Sequence, residues 1–264
     1  MKQSMESLVS EHWDRNAEQW ARDVRAGFDT YRDHFTLPAF LAILPDLTGL
    51  TVIDFGCGEG TNTRLLARQG ALMTGIDLSE RMLALATAQE EAQPLGITYR
   101  RTSFSHCPDI ATGNFDAVIS TMALMDGPDF AGAMREAHRI LKPGGFLAFS
   151  ILHPCFISAG LRWITNPSGE TVGLGVAHYF RRESFVEEWK FGDNPDKANA
   201  EPFAVPRFPR TLSDILNAVS DAGFIIKKID EPMPTEDACK HFPRFRRWRD
   251  LAAFLLIVRA EKPA

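Results

Sequence analysis

Cysteine is scarce in this chain. Its four cysteines, Cys57, Cys107, Cys155 and Cys239, are scattered and form no C-x-x-C pair. This argues against a disulfide framework or a zinc site and suits a reducing compartment. Positive charge is not in excess: 29 Lys and Arg face 34 Asp and Glu, a net of −5. No general basic field is therefore available to neutralise a phosphate backbone. No apolar run approaches the ~20 residues of a membrane span, and the opening Met1–Glu6 has no apolar signal core. Repeats and low-complexity tracts are also missing. These absences predict a cytoplasmic, metal-free protein that acts neither at a membrane nor chiefly on nucleic acid. The 264 residues suffice for one large α/β domain with a substantial insertion.

The densest information lies in Val52-Ile53-Asp54-Phe55-Gly56-Cys57-Gly58-Glu59-Gly60-Thr61. It reads as a buried strand, a glycine-rich turn and the start of a helix. Glycine reaches positive φ and has no Cβ, so the chain can turn sharply and a ligand can lie against it. The helix then offers unpaired N–H groups. A second short strand, Met73-Thr74-Gly75-Ile76, carries Asp77 at its carboxyl end, followed by Leu78 and Ser79. In a Rossmann-like sheet an acid about 20 residues past the glycine turn accepts hydrogen bonds from ribose hydroxyls. Together the two segments predict a nucleoside cofactor. Dinucleotide enzymes favour G-x-G-x-x-G, whereas this turn is G-x-G-x-G, preceded by Asp54 and containing Glu59. Two carboxylates there would repel a pyrophosphate and suit a cationic ligand without phosphate.

These segments resemble the first two motifs of the class I S-adenosylmethionine-dependent methyltransferase family, matching Val52–Gly60 and Gly75–Ser79. A third, the Leu-Lys-Pro-Gly-Gly turn before a strand, matches Leu141–Phe146. The chain is similar in particular to bacterial small-molecule members related to the ubiquinone- and menaquinone-biosynthesis methyltransferases. The resemblance is strong over about residues 45–152 and extends to 210–260 in topology only. It implies an α/β fold: a Rossmann-like seven-stranded, mostly parallel sheet with helices on both faces, an N-terminal helical cap and an insertion after strand five. The expected divisions are 1–44 (cap), 45–152 (cofactor-binding core), 153–209 (substrate-binding insertion) and 210–264 (remainder of the sheet).

The periodicity agrees with this outline. Trp13, Ala17, Trp20 and Val24 fall on one helix face, and a second helical piece is expected over about 38–44. Strands are expected near 51–55, 72–76, 97–101, 115–120, 146–152, 224–229 and 253–258. Ser79 should cap the helix after strand two. Residues 153–209, rich in Pro, Gly and aromatics, show no clean period. Long irregular excursions of this kind are usually functional.

The resemblance implies S-adenosyl-L-methionine as cofactor, with Gly56, Gly58 and Gly60 carrying its methionine and ribose portions and Asp54 ordering the turn and orienting the ligand amine, directly or through water. Asp77 should accept both ribose hydroxyls. Leu78 and Met82 are candidates to sandwich the adenine, though Met82 serves equally well as core. Ser103 and Phe104 follow strand three, where family members hold the adenine edge. Thr121 and Met122 follow strand four, where the methyl should point. Tyr31, with Arg32, is placed at the methionine carboxylate. His153, just past strand five, is the candidate general base, or else a histidine bonded to a chain reversal; His178 is a weaker candidate. Asp126 is read as the cap of a helix beginning near Pro128.

The aromatics of the insertion suggest an apolar or aromatic acceptor, or simply the insertion's own core. Arg244-Phe245-Arg246-Arg247-Trp248-Arg249 reads as a solvated loop, with an anion clamp or a nucleic-acid groove as the alternatives. The expected activity is in-line methyl transfer to oxygen or nitrogen of a small molecule by a monomer or homodimer. RNA- or protein-directed transfer, a cofactor-binding regulator without transferase activity, and a nicotinamide oxidoreductase are the competing readings.

Overall fold

The computed structural model describes residues 4–264; Met1–Gln3, at the start of the expected cap, lie outside the described residues. The chain opens with α1 (Met5–Arg25), whose cap Ser4 accepts from the Ser7 amide. A π-helical turn at Arg32–Thr36 leads into the short α2 (Leu37–Leu41), where a single helix over 38–44 was expected. Pro38 cannot donate a backbone hydrogen bond and sits at the first helical turn, where none is needed.

Five strands and three helices follow: β1 (Thr51–Phe55), α3 (Thr61–Arg68), β2 (Leu72–Asp77), α4 (Glu80–Ala92), β3 (Thr98–Arg101), β4 (Phe115–Thr121), α5 (Phe130–Ile140) and β5 (Leu141–Leu152). The chain then leaves the sheet and makes two antiparallel hairpins, β6 (Arg162–Thr165) with β7 (Thr171–Gly175), and β8 (Phe185–Trp189) with β9 (Phe203–Arg207). It returns through α6 (Leu212–Asp221), β10 (Ile225–Asp230), α7 (Glu236–His241), α8 (Arg246–Asp250) and β11 (Leu255–Glu261).

The main sheet has seven strands in the order β10-β11-β5-β4-β1-β2-β3. The pairs among β1 to β5 are parallel, and β11 runs antiparallel to both β5 and β10. This is the Rossmann-like α/β architecture with an N-terminal helix that the sequence predicts. The two middle strands read as near-continuous apolar runs because both of their faces are covered. Val52, Ala117 and Ile119 pack with Phe40 and Leu66 of α2 and α3, whereas Ile53, Phe55 and Val118 pack with Met134 and Ile215 of α5 and α6. Each fully buried Val, Ile or Phe side chain contributes about 1.5–3 kcal/mol.

The strand order reverses beside β1. After β3 the chain crosses back to β4, leaving a crevice at the carboxyl ends of β1 and β4 where open α/β sheets bind ligands.

Two features differ from the sequence-based outline. β5 starts at Leu141 rather than 146, and the Lys142-Pro143-Gly144-Gly145 turn is a bulge within it: Phe115 pairs with Leu141 and Ala117 with Phe146. Lys262 locks the bulge, accepting from the Gly144 amide and donating to Gly145. The insertion, which has no period in sequence, contains the two hairpins. Its aromatics do form a core, but one shared with α1: Trp20 meets Trp189, Phe191 and Phe203 at centroid distances of 5.7, 5.2 and 5.3 Å. Asn16 completes the contact, its amide donating to Ala204 O at 3.1 Å.

Candidate active site

At the end of β1 the glycine turn folds back on β2. Gly56, Gly58 and Gly60 have φ of 74°, 55° and 87°, and the amides of Gly56 and Cys57 both donate to Ile76 O. A Cβ at Gly56 would overlap the Cβ of Ala123, and one at Gly60 would lie 2.5 Å from the Tyr99 hydroxyl. The first glycine therefore admits the β4 loop and the third lets α4 and β3 pack close. Asp77 joins the two motifs: Oδ2 accepts from the Gly58 amide and Oδ1 from the Ser79 amide, each at 2.9 Å. Burial pushes its pKa above the ordinary range, against the opposing pull of these backbone bonds.

Above the turn lies a cavity of about 530 Å³, a size typical of small-ligand sites. Of the predicted residues, Tyr31, Gly56, Gly58, Asp77, Leu78, Met82, Phe104, Thr121 and Met122 line it. Met122 holds a left-handed conformation, φ 58°, with its amide donating to Ser150 O. Strain of this kind in a long side chain is often found at functional crevices. Phe104 stacks on Phe55 at 6.1 Å. Tyr31 accepts from Trp248 Nε1 at 3.2 Å, while Arg32 turns to Asp33.

Five predicted residues are not on the cavity wall. Gly60 is used for packing, as described above. Asp54 sits behind the turn, fully buried, accepting from Thr63 Oγ1 at 2.7 Å, and burial pushes its carboxyl up to about 7. Ser103 donates to Glu6 of α1 at 2.5 Å and also meets Ser105, because α1 covers the end of β3. His153 is 1% exposed, and both ring nitrogens are engaged: Nδ1 accepts from the Cys155 amide, and Nε2 donates to Glu231 at 2.6 Å. Burial lowers its pKa despite Glu231. It stands at the chain reversal, off the cavity wall. His178 is exposed in the insertion, also off the wall.

The cap of α5 is Asp129, whose carboxylate accepts from Gly132, not Asp126. Asp126 is buried on the cavity wall in an ion pair with Arg207 of β9, which also binds Glu187 at 2.7 Å. The arginine run is not a free loop: Arg244 pairs with Asp193, Arg246 and Arg249 share Glu236, and Arg247 and Trp248 reach the cavity.

Sequence reasoning missed Asp29 and Asn62, which no motif marks. Asp29 lines the cavity; burial pushes its carboxyl up to about 6, and among the described residues the carboxylate accepts a hydrogen bond from the Arg32 amide at 3.1 Å. Asn62 donates to Thr121 Oγ1 at 2.9 Å, and its Oδ1 has no hydrogen-bond partner among the described residues. Asp77 and Asp29 beside the turn would repel a pyrophosphate, while Glu59 is paired with Arg25 at 3.2 Å. The site suits a ligand that combines a diol with an ammonium or sulfonium.

Comparison with known proteins agrees. The methyltransferase domain family matches residues 53–149. A crystal structure of an S-adenosylmethionine-dependent methyltransferase from Mesorhizobium loti is similar at 31% identity and a TM-score of 0.69, covering 85% of this chain and 96% of that one. An uncharacterized Haemophilus influenzae protein is 29% identical over 98% of this chain and 99% of its own length. A ubiquinone biosynthesis O-methyltransferase of Pseudomonas paraeruginosa is 36% identical over 40% of this chain, a match that spans under half of that relative, 46%. The chain belongs to the S-adenosylmethionine-dependent methyltransferases. It is an enzyme whose cofactor is S-adenosyl-L-methionine. Among the described residues, no helix is long and apolar enough to cross a membrane.

Proposed function

We propose that the enzyme methylates an oxygen or nitrogen of a small molecule. The observation that carries this reading is the continuity of one cavity, from the glycine turn past Thr121 and Met122 to a wall of Leu161, Trp189 and Trp248. The N-terminal helix and the 153–209 insertion would enclose the acceptor, and the 45–152 and 210–264 segments would form the core beneath. The pairing of Arg244, Arg246 and Arg249 with carboxylates removes the charge that a nucleic-acid groove would use.

When bound, the cofactor supplies an electrophilic methyl on a sulfonium whose leaving group is a neutral thioether. Asp77 would accept from the ribose hydroxyls while its backbone bonds hold it in place. The glycine backbone would pass close to the ligand, with Leu78, Met82 and Phe104 against the adenine. Asp29 and the Asn62 amide oxygen would receive the ammonium, and Thr121 and Met122 would flank the methyl. The protein's remaining task is to exclude water and to hold the acceptor atom in line, ~3–3.5 Å from that methyl. A base is needed only for an acceptor that arrives protonated, and His153 is not assigned to that role.

The test is transfer from cofactor labelled in its methyl group, offered in parallel to a metabolite filtrate, bulk RNA and a protein fraction. Label should appear in a small product; label confined to RNA or protein would overturn the proposal.

The ammonium contact gives a separate prediction. Asp29→Asn should weaken S-adenosylhomocysteine binding by about 1–2 kcal/mol, allowing for screening at a half-buried site. It should leave 5′-methylthioadenosine, which has no ammonium, unaffected. Calorimetry with both ligands checks this, and equal losses for the two would remove Asp29 from that role.

A further inference from the structure

We infer that the methyl acceptor carries an oxyanion, and that Arg247 is the residue that binds it. This rests on the small-molecule reading above and narrows the substrate to an aromatic or similarly flat acid.

Arg247 differs from the other basic groups on the cavity wall. Arg32 has Asp33, Arg207 has Asp126 and Glu187, and Lys190 donates to Lys197 O. Arg247 meets no carboxylate and no hydrogen-bond acceptor among the described residues, and its Nε is buried without a partner. Its guanidinium lies 4.5 Å from the ring centroid of Trp163 and 5.6 Å from that of Trp248. These rings meet edge to face at 4.8 Å, and Trp248 is pinned through Nε1 to Tyr31.

The stack holds the guanidinium by its face and removes water from that side. Its donors lie in the plane of the group, which presents them edge-on as a fork for a carboxylate or phosphate. A cation held in a largely apolar cavity without a counter-ion carries a desolvation cost that an anionic ligand relieves. Ile157, Leu161 and Phe254 line the same cavity and offer nothing polar to the rest of the ligand. An anionic head on a flat apolar body satisfies both parts.

The experiment is calorimetry on the full chain saturated with S-adenosylhomocysteine, titrated with 2-naphthoate, 2-naphthyl phosphate and the neutral 2-naphthamide. The wild type should bind at least one anion tenfold or more tighter than the amide, and the tighter of the two identifies carboxylate or phosphate. Arg247→Met should lose at least tenfold for that anion with the amide unchanged. Arg247→Lys, which keeps the charge but not the fork, should fall between. The affinity of each variant for S-adenosylhomocysteine reports whether the fold and cofactor site are intact. Cofactor binding combined with no preference for anions, no binding of any probe, or full anion affinity in Arg247→Met overturns the inference alone. Failure of the wild type to bind S-adenosylhomocysteine overturns it together with the reading beneath it.

Discussion

Replacing Asp77 with alanine is expected to weaken S-adenosylmethionine binding by about 2–4 kcal/mol, roughly thirty- to a thousandfold in Kd. The loss has two sources. The proposed ribose contacts are charge-assisted, so removing the carboxylate leaves the ligand hydroxyls without acceptors. The same carboxylate accepts from the Gly58 and Ser79 amides, so the alanine variant also frees two backbone donors and loosens the turn. Asp77→Asn separates these effects. Its amide oxygen can keep one backbone bond but has no charge, so it should recover part of the stability and little of the affinity. Titration calorimetry and thermal melting of both variants read the two quantities. Unchanged affinity in Asp77→Ala would remove this residue from the cofactor site.

Arg207→Met should destabilise the fold by about 3 kcal/mol at pH 7.5 and by only about 1 kcal/mol at pH 5. Arg207 is pinned between Asp126 and Glu187, and both members of the Asp126 pair are largely buried, at 13% and 7% exposure. Removing one partner of such a pair strands the other. Here the stranded group can escape by taking a proton, which limits the cost. Burial holds the Asp126 carboxyl at about 6 even with Arg207 beside it, against 3.8 when unperturbed. The native state therefore binds more protons than the unfolded chain between about pH 4 and 6, and this group's contribution to stability falls as pH rises through that window. Without the guanidinium the carboxyl titrates higher still. At pH 7.5 neutralising it adds about 2 kcal/mol beyond the wild-type cost, and the lost bond to Glu187 adds about 1 kcal/mol. At pH 5 the carboxyl is protonated in both proteins, so only the smaller part remains. Urea unfolding at the two pH values checks this, and adding Asp126→Asn to Arg207→Met should recover most of the neutral-pH deficit. An equal deficit at both pH values would place the loss outside Asp126.

The parts of the fold legible in sequence are those set by neighbouring residues. Val52-Ile53-Asp54-Phe55 reads as a buried strand because a sheet covered on both faces needs apolar residues at successive positions. Positive φ at Gly56, Gly58 and Gly60 is a demand that glycine meets locally. Ser79 as a helix cap, accepting from Met82 N at 3.1 Å, and the Trp13-Ala17-Trp20-Val24 face of α1 follow from spacings within one or two helical turns.

What the local pattern does not contain is the partner across the chain. α1 displays an apolar face, but only the tertiary structure seats it on Phe191 and Phe203 and joins Asn16 to Ala204, 188 residues away. Ser103 is drawn off the expected adenine edge by Glu6, 97 positions earlier, and His153 off the cavity by Glu231, 78 positions later. Asp126 looked like a helix cap because Pro128 follows it, yet Arg207 of a hairpin with no readable period claims its carboxylate. Asp29 carries no motif, and Arg247 is one of four arginines in a run that reads chiefly as a solvated loop; they reach one cavity because the N-terminal segment and the segment before β11 close over the same end of the sheet. Dihedral preference and short-range spacing set the strand–turn–helix units and the glycine turn with Asp77, which point to a nucleoside ligand, and the family resemblance of those motifs names it. The tertiary structure decided which charges are paired, which are left open to a ligand and which of the expected residues face the cavity, since charged side chains find partners through space rather than along the chain.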